Sequence, residues 1–301
     1  MIASASAPAP ARRAARSAPR RTVDWPLLKE RLDALVRTFD RRFLSPDPLE
    51  RVLAFGNADD REIGGLFAAS LAYGNAKAIL ASLDDLFARM GGRPAAFVRG
   101  FCRARDARVL ASFRHRWTAG KDVAHLCAIL SAALAEHGSL GKLFARFAAS
   151  GEPTVREPLI RFVHALLAYA PGLPRDAGVR HLLSSPEDGS ACKRMNLYLR
   201  WMVRGGDGID CGLWRDIPAS ALVIPLDTHV ARISGFLGLT RRRTRDWKMA
   251  EEITAGLRRL DPTDPVKYDF AICRLGILDH CPRRRNLSKC AACPLLALCT
   301  A

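Results

Sequence analysis

The chain has 301 residues, 49% of them hydrophobic, and carries a formal net charge of +17 with a pI near 10.2. That length and apolar content suffice for two lobes, or one large domain, around real cores. The longest apolar stretch, residues 126–135, is far short of the roughly 18 to 20 residues that span a bilayer, so nothing forces a membrane reading. The charge points to a polyanionic partner, most simply nucleic acid, because neutralising phosphates releases counterions; RNA or an anionic membrane surface would suit the same balance.

Residues 1–22 are read as a disordered basic tail. Ala, Ser, Pro and Arg dominate residues 1–21 and no acidic residue occurs there. Such a composition cannot bury enough apolar surface to fold. Its five arginines (Arg12, Arg13, Arg16, Arg20 and Arg21) supply part of the net charge but not most of it. An acid-free, arginine-rich start also resembles an organelle transit peptide, yet the Ala-Pro-Ala-Pro repeat breaks an amphipathic helix. The apolar core of a secretory signal is missing.

From Trp25 onward the spacing of apolar residues is helical almost throughout, with turns at Ser45-Pro46-Asp47-Pro48, Gly91-Gly92 and Asp261-Pro262. Ile63, Leu66, Phe67 and Leu71 mark one helix, and Ile79, Leu83, Leu86 and Phe87 a second, joined around Tyr73-Gly74-Asn75. Further helices are expected over 123–136, 140–148 and 154–170, and no convincing alternating strand is present. The pattern predicts an all-α, non-bundle fold built from many short helices.

A helix over 192–204 has Met195, Tyr198, Leu199 and Met202 at i, i+3, i+4 and i+7. That stripe should be its buried face, leaving Lys193, Arg200 and Arg204 on the opposite one. Just before it, Gly189 and Ser190 can turn the chain, and free backbone N–H groups from Ser190 to Cys192 would make an anion site. Farther on, Pro225 disfavours helix at Ile224, and Asp227 is placed to cap a helix burying Val230, Ile233, Phe236 and Leu237.

Four cysteines close the chain: Cys281, Cys290, Cys293 and Cys299. One Cys-x-x-Cys flanked by a single cysteine on each side fits iron–sulfur ligation better than the two separated pairs usual for zinc. A [4Fe–4S] cluster is the expected cofactor, with zinc and four unligated thiols as the alternatives. Nine cysteines, four of them in this cluster, fit a reducing cytosol in which thiols hold metal, hence a cytoplasmic protein, nucleoid-associated where the polyanionic partner is DNA.

Pro-Leu-Asp-Thr-His-Val-Ala-Arg-Ile (225–233), a polar helix over 246–260, an Asp-Pro-rich turn, a helix over 266–280 and the four cysteines together resemble the C-terminal half of the endonuclease III branch of helix-hairpin-helix DNA glycosylases. Residues 63–79 resemble the first helix pair of that superfamily's six-helix barrel. The resemblance covers about residues 60–90 and 185–299. It departs at the hairpin, where a single Gly189 stands among Ser184-Ser185-Pro186-Glu187-Asp188 in place of Leu-Pro-Gly-x-Gly-x-x-Thr-Ala, and in the longer gap from Lys193 to Asp227. This marks a divergent branch, in which the lesion recognised is not inherited.

The resemblance implies two helical lobes and a C-terminal iron–sulfur module held by the four cysteines. Residues 23–60 would pack with the C-terminal lobe, 61–226 form a barrel-like lobe with the divergent hairpin, and 227–301 form the C-terminal lobe with the cluster loop. By position Lys193 would be the nucleophile that forms a Schiff base at C1′ of a flipped nucleotide, and Asp227 the supporting carboxylate. Gly189, Ser190, Arg194, Arg232, Arg283, Arg284, Arg285 and Lys289 would meet the DNA backbone. The expected partner is double-stranded DNA with a damaged base or abasic site, bound by a monomer. A non-catalytic iron–sulfur protein binding DNA or RNA on the same fold is the rival reading.

Overall fold

The computed structural model describes residues 22–148, 151–173, 178–282, 284 and 286–300. The tail expected to be disordered, and Arg283 and Arg285 of the expected DNA-binding set, lie outside the described residues. Those described are 61% helix and 2% strand, an all-α chain.

Several helix starts follow from a capping residue that satisfies a backbone N–H left without a partner in the first turn. Asp24 accepts the Leu27 N–H at 3.1 Å and opens α1 (Trp25–Thr38). After the short α2 (Leu49–Leu53), Asn57 caps α3 (Ala58–Ser70) and Asn75 caps α4 (Ala76–Arg89). Between α3 and α4, Gly74 takes φ +106°, a conformation open to glycine, so the chain reverses tightly at Tyr73-Gly74-Asn75.

Next come α5 (Pro94–Arg99), α6 (Arg103–Leu110) and an antiparallel hairpin of β1 (Arg114–His115) and β2 (Thr118–Ala119). Strands of two residues are too short to show an alternating pattern, which is why helical periodicity alone was legible there. Then follow α7 (Gly120–His137), α8 (Leu140–Ala148), α9 (Arg156–Ala168) and α10 (Gly178–Leu182). Among the described residues no single helix is long and apolar enough to cross a membrane.

The last group is α11 (Lys193–Val203), α12 (Thr228–Phe236), α13 (Trp247–Arg258), α14 (Tyr268–Ile277) and α15 (Leu287–Ala291). Helix α11 packs along α3, α12 packs along α14, and α1 lies against α14. The short α2 packs instead on α3. A contiguous apolar core runs from Leu28 to Leu295 and takes residues from α1 to α14.

The expected solvated face of α11 does not exist. Met195 to Val203 are all buried, and Arg200 and Arg204 are only 3% and 6% exposed. The reason is acid supplied from distant segments. Arg200 donates to Asp269 at 2.7 Å and to Asp210 at 3.0 Å, while Arg204 donates to Asp264 at 2.9 Å and also to Asp210. Charges leave water only when paired and hydrogen-bonded in this way.

Candidate active site

Helices α11 and α12 each bring their first turn to one cavity of about 640 Å³, lined by Lys193 and Asp227 among others. Its walls also include the Tyr73-Gly74-Asn75 turn, Pro225, His229, Arg245, and Asp269 and Cys273 from α14. Two residues 34 positions apart thus face the same space.

Asp227 is held on both oxygens. As the N-cap of α12 its Oδ1 accepts the Val230 N–H at 2.7 Å, and its Oδ2 accepts the Cys273 thiol at 3.2 Å. Burial, and then the Asp227 and Asp269 carboxylates, push the Cys273 thiol well above its usual range, so it stays protonated and donates. Helices α12 and α14 come close because Gly276 carries no side chain: a Cβ there would stand 2.2 Å from His229 Nδ1.

Lys193 Nζ donates to the Ala72 carbonyl at 3.1 Å, just beyond the end of α3. Asp269 also lines the cavity, one turn before Cys273. Its burial pushes the carboxyl up to about 6 against the pull of Arg200, with the charge of Asp227 adding to the rise. In the sequence Asp269 reads as an ordinary acid in a first helical turn, with no separate signal of its own. The i, i+4 pair Asp269 and Cys273 on one face was the trace to follow.

An aromatic cluster adjoins the cavity. Tyr73 lines it and stacks on Trp117, with ring centroids 4.8 Å apart and planes at 19°. Trp117, at the tip of the β1–β2 hairpin, is 59% exposed, and the Arg116 guanidinium lies 4.8 Å above its ring. Tyr73 Oη donates to the His115 carbonyl at 3.0 Å, tying the turn to the hairpin. His181 meets both the Tyr73 and Trp117 rings at 5.5 Å. Burial, and then the Arg194 charge, push the His181 imidazole down to about 4, so it is neutral near pH 7.

The expected DNA-contacting residues are scattered. Gly189 takes φ +73° in the turn before α11, and Ser190 pairs its backbone with Asp246 in an isolated antiparallel bridge. Ser190 Oγ accepts the Cys192 N–H at 3.1 Å, so that N–H, expected to be free for an anion, has an intramolecular acceptor. Arg194 donates to the carbonyls of Ser70 and His181 and lies 5.2 Å from the Tyr73 ring. Arg232 donates to the Cys281 carbonyl at 2.8 Å, and Lys289 is paired with Asp279. Arg284 is exposed.

Cys281, Cys290, Cys293 and Cys299 all line one small cavity together with Phe236, His280 and Leu296, and all four are free thiols. Burial, then relief from Arg232 and repulsion from Cys293 and Cys299, leaves the Cys281 thiol raised overall. Among the described residues no three or more His, Cys, Asp or Glu side chains are grouped to hold a single metal ion.

The family model described as "Protein of unknown function (DUF2400)" matches residues 47–278, and the chain belongs to that family. The matched span holds Lys193, Asp227, Asp269 and Cys273 and ends before Cys281. No curated protein and no solved structure matches the chain.

Proposed function

We propose that this member of the DUF2400 family is a base-excision enzyme, a DNA glycosylase that uses Lys193 as its nucleophile and carries AP-lyase activity. The observation that carries the reading is the convergence of Lys193 and Asp227 on one cavity from the starts of two separate helices. A cavity of that size admits one extruded nucleotide, and base chemistry requires extrusion because the reacting carbon is out of reach inside a duplex.

In this mechanism the unprotonated Lys193 amine bonds to C1′ as the bond from C1′ to the base breaks, and the departing base takes up a proton. Loss of the amine proton and opening of the sugar give a Schiff base, which permits β-elimination of the 3′ strand. Asp227 places a fixed negative charge beside the sugar as positive charge develops on it. Its cap and thiol hydrogen bonds hold it there without reorganisation. Tyr73 and the exposed Trp117 offer stacking surface to an unpaired base at the cavity mouth, a contact worth about 1–3 kcal/mol.

The cysteine module fits a [4Fe–4S] cluster held by Cys281, Cys290, Cys293 and Cys299. Support comes from the donor set: four free thiols line one small cavity, and one Cys-x-x-Cys flanked by single cysteines suits iron–sulfur ligation better than the two separated pairs usual for zinc. When bound it would supply structure to the C-terminal segment and no chemistry at C1′.

Borohydride trapping on oxidised, alkylated, deaminated and abasic duplexes tests the reading. A covalent adduct with wild type, lost in Lys193→Gln, is expected. Absence of both adduct and base release on every substrate would replace it with the non-catalytic binding protein.

A further inference from the structure

The segment from Arg241 to Lys248, which leads from the loop after α12 into the first turn of α13, holds five cations and one carboxylate. Elsewhere arginines of this chain are commonly committed to acids, as in Arg51 with Asp84 or Arg89 with Asp85. Here only Arg242 is, through Asp246 at 2.8 Å. Among the described residues Arg241, Arg243 and Arg245 make no ion pair or side-chain hydrogen bond, and all three are exposed.

The segment is nonetheless fixed at both ends. Buried Thr240 accepts the Arg242 N–H at 3.1 Å and donates to Glu252 at 2.7 Å. At the other end Asp246 caps α13 through the Met249 N–H at 2.9 Å, and its backbone is bridged to Ser190. Arg245, next to that bridge, lines the cavity that Lys193 and Asp227 share. Like charges close together in sequence repel one another, and among the described residues no carboxylate pairs with these three.

We propose that Arg241, Arg243 and Arg245 form a phosphate-binding rail that leads the backbone of duplex DNA to the mouth of the Lys193 cavity. The inference rests on the nucleic-acid reading above and moves the main backbone contact away from the cysteine loop, where Lys289 is already occupied by Asp279. Three exposed guanidiniums, one of them lining the cavity, suit phosphate oxygens, which accept bidentate hydrogen bonds, and a loop fixed at both ends orders them at little entropic cost. An acidic peptide offers no regular run of such groups to follow.

The test measures binding of an undamaged DNA duplex by fluorescence anisotropy across salt concentrations. The variant is Arg241→Gln, Arg243→Gln and Arg245→Gln together. A charge-matched control replaces Lys29, Arg42 and Arg99, each already paired with an acid, by Gln.

The triple variant is expected to flatten the slope of log K against log salt by about 2 to 3, at about 0.9 per phosphate contact, and the control to leave it nearly unchanged. Should the triple variant fail to fold, Arg243→Gln alone should lower the slope by about 1. An unchanged slope in the rail variants, an equal loss in the control, or a loss seen on single-stranded RNA and not on duplex DNA overturns the proposal. Wild type that binds with the steep slope but is never trapped by borohydride defeats only the enzyme reading. Trapped wild type whose slope the variants do not change defeats only the rail.

Discussion

The Cys273 thiol donates to Asp227 Oδ2 at 3.2 Å, so a residue of α14 fixes the carboxylate that opens α12. Asp227 also raises the thiol's pKa. Replacing it by Asn removes a neighbouring negative charge and makes the thiolate easier to form. Alkylation of Cys273 by iodoacetamide at pH 8, followed by peptide mass spectrometry, should therefore be faster in Asp227→Asn than in wild type. An equal or slower rate would show that the two groups are not coupled.

Asp227→Asn also separates chemistry from stability. Turnover should be lost if the carboxylate supports charge at C1′, whereas stability should change little, because Asn caps a helix about as well as Asp. Thermal unfolding measured beside single-turnover base release distinguishes them. A fully active Asp227→Asn enzyme would remove this residue from the mechanism.

His181 should make the fold acid-sensitive. Its folded pKa near 4 lies below the usual histidine value of 6.5, so between those limits the unfolded chain binds more protons and stability falls as pH drops from about 6.5 toward 4. Asp269 acts in the opposite sense: its folded value near 6 lies above the usual 3.8, so its contribution is full below about 3.8 and is lost as pH rises toward 6. Comparing wild type with His181→Gln isolates the histidine. The variant should lose less melting temperature than wild type between pH 6.5 and 4.5, and parallel losses would contradict the assignment.

Asp210 is fully buried between Arg200 and Arg204. Asp210→Ala removes the carboxylate that both buried guanidiniums share, leaving Arg200 with Asp269 and Arg204 with Asp264, and should cost about 3 kcal/mol in urea unfolding. Asp84→Ala breaks only the solvent-exposed pair with Arg51 and should cost below about 1 kcal/mol. Similar losses from the two would mean that the buried network contributes no more than a surface pair.

Protein purified without oxygen should be brown and contain iron and sulfide, and Cys290→Ala or Cys293→Ala should remove both. The same substitutions should expose the C-terminal segment to proteolysis, because metal binding is coupled to folding in small modules. Colourless protein with one equivalent of zinc would instead support the zinc alternative.

Local signals were legible in the sequence and long-range ones were not. The helix expected over 140–148 is found at Leu140–Ala148, and Asp227 is the cap its position after Pro225 implied. Apolar spacing and capping chemistry act within a few residues, so one chain displays them. Arg200 and Arg204 read as a solvated face because their partners stand elsewhere, Asp210 in a glycine-rich loop and Asp269 on α14. Trp117 escaped notice for a related reason: its role depends on Tyr73, 44 positions earlier. The juxtaposition of Lys193 with Asp227 entered through resemblance, since no pattern in their own neighbourhoods links them.

Helix α14 has no idle side. Tyr268 bonds to Asp33 on α1, Asp269 to Arg200 on α11, Cys273 to Asp227, and Arg274 to Asp47, while Gly276 leaves room for His229. In most helices the sites that accept substitution recur every three or four residues, on the outer face. Here a saturation scan should find intolerance running almost unbroken from Tyr268 to Gly276, and drift among relatives should be correspondingly confined to conservative exchanges over these nine positions.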